Sequence, residues 1–146
     1  MSAITTRDLT RSFGKTLAVD HLNLKVASGS LFGLIGPNGA GKTTTLRMLA
    51  GLLEPSFGEI RIHNLAVRQY WHELQWQIGY MPDFFGVYED LLVWEYLDFF
   101  ARCYKLSPQR RTQVVNELLE LVDLAEKKNE YVNALSRGML QRLCLA

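Results

Sequence analysis

A chain of 146 residues provides one ordinary domain or the opening part of a larger one. Hydrophobic residues make up 48% and charged residues 21%, a globular balance that excludes disorder over most of the length. Sixteen Lys and Arg against fifteen Asp and Glu leave a formal charge of +1, so no basic stripe argues for a nucleic acid partner. The apolar stretch Leu91 to Ala101 carries Glu95 and Asp98 and is too short to span a bilayer. Arg7, Asp8 and Arg11 break up any signal peptide. Cys103 and Cys144 stand apart, with no Cys/His cluster for zinc or redox chemistry, and are expected as reduced, buried thiols. A soluble, cytosolic, globular protein is the expectation.

In chain order, Ala3–Leu9 and Leu17–Val26 are predicted strands, split by Ser12-Phe13-Gly14-Lys15. In the second, Leu22, Leu24 and Val26 alternate with Asn23 and Lys25, the mark of one buried face. Leu31-Phe32-Gly33-Leu34-Ile35 is apolar on both faces, as a central parallel strand should be. A helix is predicted from Lys42, with Leu46, Leu49, Ala50 and Leu53 on one side, ended by Pro55 and Gly58. Strands follow at Glu59–Ile62 and Gln77–Met81, the second closed by Pro82. Beyond these, Leu91–Tyr104 and Gln109–Leu124 are predicted helices. The first has Val93, Tyr96, Leu97, Phe100 and Tyr104 on one face. The second has Val114, Leu118, Leu121 and Val122, and opens with Ser107 as N-cap and Pro108 as first helical residue. Gly138–Ala146 is an apolar helix without a C-cap, from which a truncated sequence is expected.

Gly36-Pro37-Asn38-Gly39-Ala40-Gly41-Lys42-Thr43 fits Gly-x-x-x-x-Gly-Lys-[Ser/Thr], the Walker A pattern. Glycines let successive backbone N–H groups turn inward toward phosphate oxygens, and the following helix adds its positive end. Lys42 can then reach the β- and γ-phosphates, and the Thr43 hydroxyl can ligate Mg²⁺. The alternative, a bland Gly-rich turn, does not account for the placement between a buried strand and a helix. A Rossmann loop is excluded because Thr44 stands where Gly or Ala is needed.

With Leu34-Ile35 ahead of it and Thr44 behind it, this loop resembles that of the ATP-binding domains of ABC transporters, and the resemblance runs from Leu9 to Ala146. It implies an α/β fold: a P-loop NTPase core with an N-terminal antiparallel β subdomain and an inserted helical subdomain, truncated at the C-terminus. The division implied is one incomplete domain over 1–146, with the β and P-loop core at 1–83, the helical subdomain at 84–135 and the signature helix at 136–146. The implied ligands are ATP and Mg²⁺, with Gly36, Pro37, Asn38, Gly39, Ala40, Gly41, Lys42, Thr43 and Thr44 on the phosphates. Phe13, in Arg11-Ser12-Phe13-Gly14, falls where the family places an aromatic on adenine; taken alone, a Phe is more often core. Leu135-Ser136-Arg137-Gly138-Met139 resembles the signature Leu-Ser-Gly-Gly-Gln, with Arg137 and Met139 as departures. Ser136 is a natural N-cap, and Ser136 with the N–H groups near Gly138 forms a second anion-binding end. In the family this end meets the γ-phosphate held by a second ATP-binding domain.

Asp83, in Ile78-Gly79-Tyr80-Met81-Pro82-Asp83, stands where the family usually has a Gln that contacts Mg²⁺ and the attacking water. Asp can ligate Mg²⁺, or it can be an exposed strand-end acid. The aromatics after it, Phe84, Phe85 and Tyr88 rather than Trp94, are the expected dock for a transmembrane permease subunit. The implied location is cytoplasmic, peripheral at the inner face of the membrane. Val93–Ala101 most resembles ATPases of exporter-type permeases.

Phosphoryl transfer to water needs a metal-holding acid and a water-positioning group. The family supplies them from a Walker B strand ending Asp-Glu and from a later His. The chain has no Asp-Glu pair, and His21, His63 and His72 all precede the signature. The expectation is that the 146 residues alone are poorly stable and do not hydrolyse ATP, while the full protein is a transport ATPase. Two rivals remain. One is a GTPase, from Asp83-Phe84-Phe85-Gly86, although no Asn-Lys-x-Asp run exists to read guanine. The other is a non-catalytic nucleotide-binding or dimerisation module.

Overall fold

The strand-forming stretches at the start of the chain build a sheet, which the computed structural model places in the first of two compact units, Met1–Tyr80 and Met81–Ala146. The structure describes residues 1–82, 86, 88 and 90–146; the predicted roles of Asp83, Phe84 and Phe85 fall outside the described residues.

In the first unit, β1 (Ser2–Phe13) and β2 (Thr16–Ala27) form an antiparallel hairpin across Gly14-Lys15, with Gly14 at the positive φ of 57° that a tight hairpin turn demands. After α1 (Lys42–Leu49) come β3 (Phe57–Ile62) and β4 (Leu65–Ala66), then α2 (Val67–Leu74). The sheet order is β2-β1-β3-β4, antiparallel throughout. His63 and Asn64, both at positive φ, make the two-residue turn between β3 and β4. Leu9, Val19, Ile60 and Ile62 from the sheet pack with Met48 of α1 and with Val67 and Leu74 of α2. Thr6 is buried beside them, its hydroxyl donating to the Leu22 carbonyl (2.7 Å) and accepting from Leu24 N–H (2.9 Å), so burial leaves it paired.

In the second unit, α3 (Val93–Cys103), α4 (Pro108–Leu121) and α5 (Arg137–Leu145) share a core of Val93, Tyr96, Leu97, Val115, Leu119, Val122, Leu124, Val132, Leu135 and Leu143. The Glu95 carboxylate accepts from Leu92 N–H at the start of α3 (2.9 Å). Ser107 caps α4 through Arg110 N–H (3.4 Å), with Pro108 at the first helical position as expected. Lys105 and Asp123 take left-handed φ of 57° and 56° past the ends of α3 and α4. Leu106 N–H then reaches the Ala101 carbonyl (3.1 Å) and Leu124 N–H the Leu119 carbonyl (2.8 Å), so each helix ends in a Schellman turn built without glycine.

Several expectations are corrected. Leu31–Ile35 forms no strand; Leu31 and Ile35 are fully exposed. A strand apolar on both faces needs a neighbour at each edge, and the described strands pair only among themselves. Gln77–Met81 is no strand either: Gln75–Gln77 is a 3₁₀ turn, and Ile78 is extended and packs on the sheet core. On α1 the buried face is Thr45 and Met48, with Leu46 exposed. On α4 it is Val115 and Leu119, one position along from the predicted Val114 and Leu118, and Leu121 points to solvent. Phe100 of α3 and Tyr104 at its C-cap are also exposed, and so is Cys103. The helix α2 was not anticipated. Its apolar positions Val67, Trp71 and Leu74 do follow helical spacing, but Ala66 gives no capping signal and Tyr70 is kinked out of helical geometry.

Candidate functional site

The glycine loop closes on itself before α1. Ala40 N–H donates to the Pro37 carbonyl (3.3 Å) around Asn38 and Gly39, and Gly39 has φ 82°, as the third position of a type II turn requires. Gly41 is left-handed at φ 81°, and a Cβ there would strike the Ala18 carbonyl oxygen of β2. The hairpin therefore presses on the loop where only glycine fits. The Lys42 ammonium folds back over the loop, donating to the carbonyls of Gly36 (2.7 Å) and Pro37 (2.6 Å). Two of its three hydrogens clasp the loop and the third is left for an anion.

The first intrahelical bond of α1 is Thr45 N–H to the Gly41 carbonyl (2.8 Å). No side chain caps the helix, so the amides of Lys42, Thr43 and Thr44 are directed out of its N-terminal end. Thr43 is exposed and Thr44 half-buried. Together these groups give a concentrated set of N–H donors beside one ammonium, an arrangement suited to polyphosphate.

Phe13, at the tip of β1, is half-exposed. The Arg11 guanidinium lies 4.6 Å from its ring centroid. Arg11 was not singled out from the sequence, although residues two apart on a strand share a face. A cavity of about 760 Å³, lined among others by Arg7, Asp8, Glu59, Arg68 and Trp71, contains no residue of the glycine loop.

In the second unit, Ser136 caps α5: its Oγ accepts from Met139 N–H (3.4 Å) and its carbonyl from Leu140 N–H (2.9 Å). Ser136, Arg137 and Gly138 are exposed, and a Cβ on Gly138 would meet nothing within 4 Å. Behind this end, Leu143 is buried in the helical core. Cys144 Sγ meets the Tyr96 hydroxyl at 3.8 Å, and burial pushes the pKa of both groups up, keeping the thiol protonated. Arg142 donates to the carbonyls of Val122 (3.0 Å) and Asp123 (3.2 Å) and to the Asp123 carboxylate (3.0 Å). Tyr88 stacks edge-on against Phe99 (5.4 Å) while remaining exposed; Trp94 packs on the core instead. Among the described residues, no group of three His, Cys, Asp or Glu is placed to hold a metal, and no helix is long and apolar enough to cross a membrane.

An antiparallel sheet beside a glycine loop that ends on an uncapped helix defines an α/β protein of the P-loop class. The chain belongs to the ABC transporter family, which matches residues 19–146. It is 34% identical over 145 residues to the "Probable multidrug ABC transporter ATP-binding protein YbhF" of Escherichia coli, covering 99% of this chain and 25% of that protein. It is 39% identical over 140 residues to the Nod factor export ATP-binding protein I of Cupriavidus metallidurans, covering 96% and 46%. The chain thus spans less than half the length of these relatives. Among solved structures, an ATP binding subunit of an ABC transporter superposes with a TM-score of 0.81 at 28% identity, covering 99% of this chain and 60% of that one.

Proposed function

We propose that this chain is the nucleotide-holding part of an ABC transporter ATPase, and that the full protein couples ATP binding and hydrolysis to transport through a partner permease. The observation that carries this reading is the clasp of Lys42 on Gly36 and Pro37 beside the uncapped start of α1. The amides of Gly39 to Thr44 and the Lys42 ammonium hold the triphosphate, and Phe13 takes the adenine on its open face. The Thr43 hydroxyl fits Mg²⁺, which keeps most of its shell as phosphate oxygens and water and asks for few protein ligands. When bound, that ion neutralises phosphate charge. Asp83 is the proposed second contact to the ion or to the attacking water.

Ser136 and Gly138 form the surface offered to the γ-phosphate of a nucleotide held by a second ATP-binding domain. The Ser136 hydroxyl already accepts from Met139, so its own proton is left to donate outward. The bare backbone at Gly138 allows close approach. A permease docks near Phe84, Phe85 and Tyr88, which would hold the protein at the cytoplasmic face of a membrane. The likeness to the Nod factor export ATP-binding protein I favours export. The division into 1–83, 84–135 and 136–146 is part of the same proposal.

A second reading, a non-catalytic nucleotide-binding or dimerisation module, is favoured by the lack of any Asp-Glu pair in the 146 residues. We propose accordingly that hydrolysis needs residues beyond these. Calorimetric titration with ATP tests the binding claim: the parent chain binds, and Lys42→Ala weakens binding at least about tenfold, the order expected for losing a charged hydrogen-bond donor to phosphate. Equal affinity in the two would sink it. Steady ATP turnover by the 146-residue chain, abolished by Lys42→Ala, would overturn the non-catalytic claim.

A further inference from the structure

The geometry points to Arg11 as a positioning residue that fixes the base-stacking ring, an inference that rests on the proposed role of Phe13. The guanidinium lies over one face of Phe13 at 4.6 Å from the centroid, within cation–π range, and so leaves only the other face for a flat ligand. Its Nη1 donates to the Glu54 carbonyl (2.9 Å). That carbonyl is itself held in place. Ser56 N–H donates to the Thr10 carbonyl (2.8 Å) and the Ser56 hydroxyl accepts from Ser12 N–H (3.1 Å), stitching the segment after α1 to the end of β1. Arg11 Nε is buried without a hydrogen-bond partner, a costly position that a side chain free to swing into water would leave. The ring, the guanidinium and the carbonyl therefore form a fixed stack at a hairpin tip that would otherwise let Phe13 turn. Because Glu54 follows α1, the same contact ties the orientation of the base platform to the helix that starts at the phosphate loop.

The test compares ATP with inorganic tripolyphosphate, which has the phosphates and no base, by calorimetric titration of the 146-residue chain. Phe13→Ala is expected to raise the Kd for ATP about tenfold and leave tripolyphosphate unchanged, the scale of lost base–aromatic stacking. Arg11→Met is expected to raise the Kd for ATP about two- to fivefold, the range of an exposed cation–π contact, again sparing tripolyphosphate. Unchanged tripolyphosphate affinity shows that the loop is still folded. Should Arg11→Met not fold, Arg11→Lys carries the same comparison, with a smaller rise because an ammonium stacks less well than a planar guanidinium. If Phe13→Ala weakens ATP but the Arg11 variant does not, or weakens ATP and tripolyphosphate equally, the positioning role of Arg11 is wrong and the base platform stands. If Phe13→Ala spares ATP, the platform itself is wrong and the inference falls with it.

Discussion

The Arg142 guanidinium, on the helix capped by Ser136, donates to the main-chain carbonyl of Val122 at 3.0 Å. Val122 is the residue at which α4 ends, so a cation from one helix satisfies the carbonyl end of another. The link to Asp123 reinforces it. The orientation of the Ser136 end therefore depends on side-chain capping as well as on the burial of Leu143.

Arg142→Ala is expected to destabilise the helical unit by about 1–2 kcal/mol, combining a lost hydrogen bond and a lost cation at a helix C-terminus. Urea titration followed by helical circular dichroism measures it. An unchanged midpoint would mean the contact contributes nothing in solution.

Gly41→Ala tests the loop's sterics. The new Cβ meets the Ala18 carbonyl and the backbone must leave φ 81°. A loss of about 2 kcal/mol or more is expected, together with loss of ATP binding. Wild-type stability and affinity would show that the hairpin does not press on the loop.

Asp98 bridges Arg102 (2.6 Å) and Arg111 (2.8 Å). Burial alone would raise its pKa, but the hydrogen bonds from both arginines outweigh it and hold the carboxyl below its ordinary value of 3.8. A depressed folded-state value stabilises the fold above the unfolded value, and that stability is lost as pH falls through the folded one. Asp98→Asn should cost about 1–2 kcal/mol at pH 7, and the gap from the parent should close below about pH 4. Thermal melts across pH 3–7 decide it; a gap that does not vary with pH would rule out the ion pairs as its source.

Lys105 occupies a left-handed position that glycine adopts without strain. Lys105→Gly is expected to raise stability by about 0.5–1 kcal/mol. A lower melting temperature would mean that the freedom glycine adds to the unfolded chain outweighs the relieved strain.

The glycine loop and the Ser136 cap were legible because their spacing states their geometry. Gly39 and Gly41 sit where φ is positive, and Ser136 sits one residue before a helix. The two strands of the hairpin were legible on either side of Gly14, the second from the alternation of Leu22, Leu24 and Val26. Arg11 was not, because its role comes from the Glu54 carbonyl, 43 residues away along the chain. Nor was the full burial of Val115 and Leu119, with Leu118 only partly buried against the same core, since an amphipathic pattern gives a face only to within a residue and packing chooses the rest.

By itself the sequence determined the local chemistry: which residues turn, which cap, and which loop can wrap a phosphate. These follow from backbone sterics and hydrogen-bonding groups within a few residues of each other. The tertiary structure decided what depends on distant partners. Leu31–Ile35, apolar enough for a central strand, remains unpaired, because a strand exists only where another backbone offers its hydrogen bonds. In the same way Lys42 is aimed by carbonyls of its own loop, whereas Phe13 is aimed by an arginine anchored beyond α1.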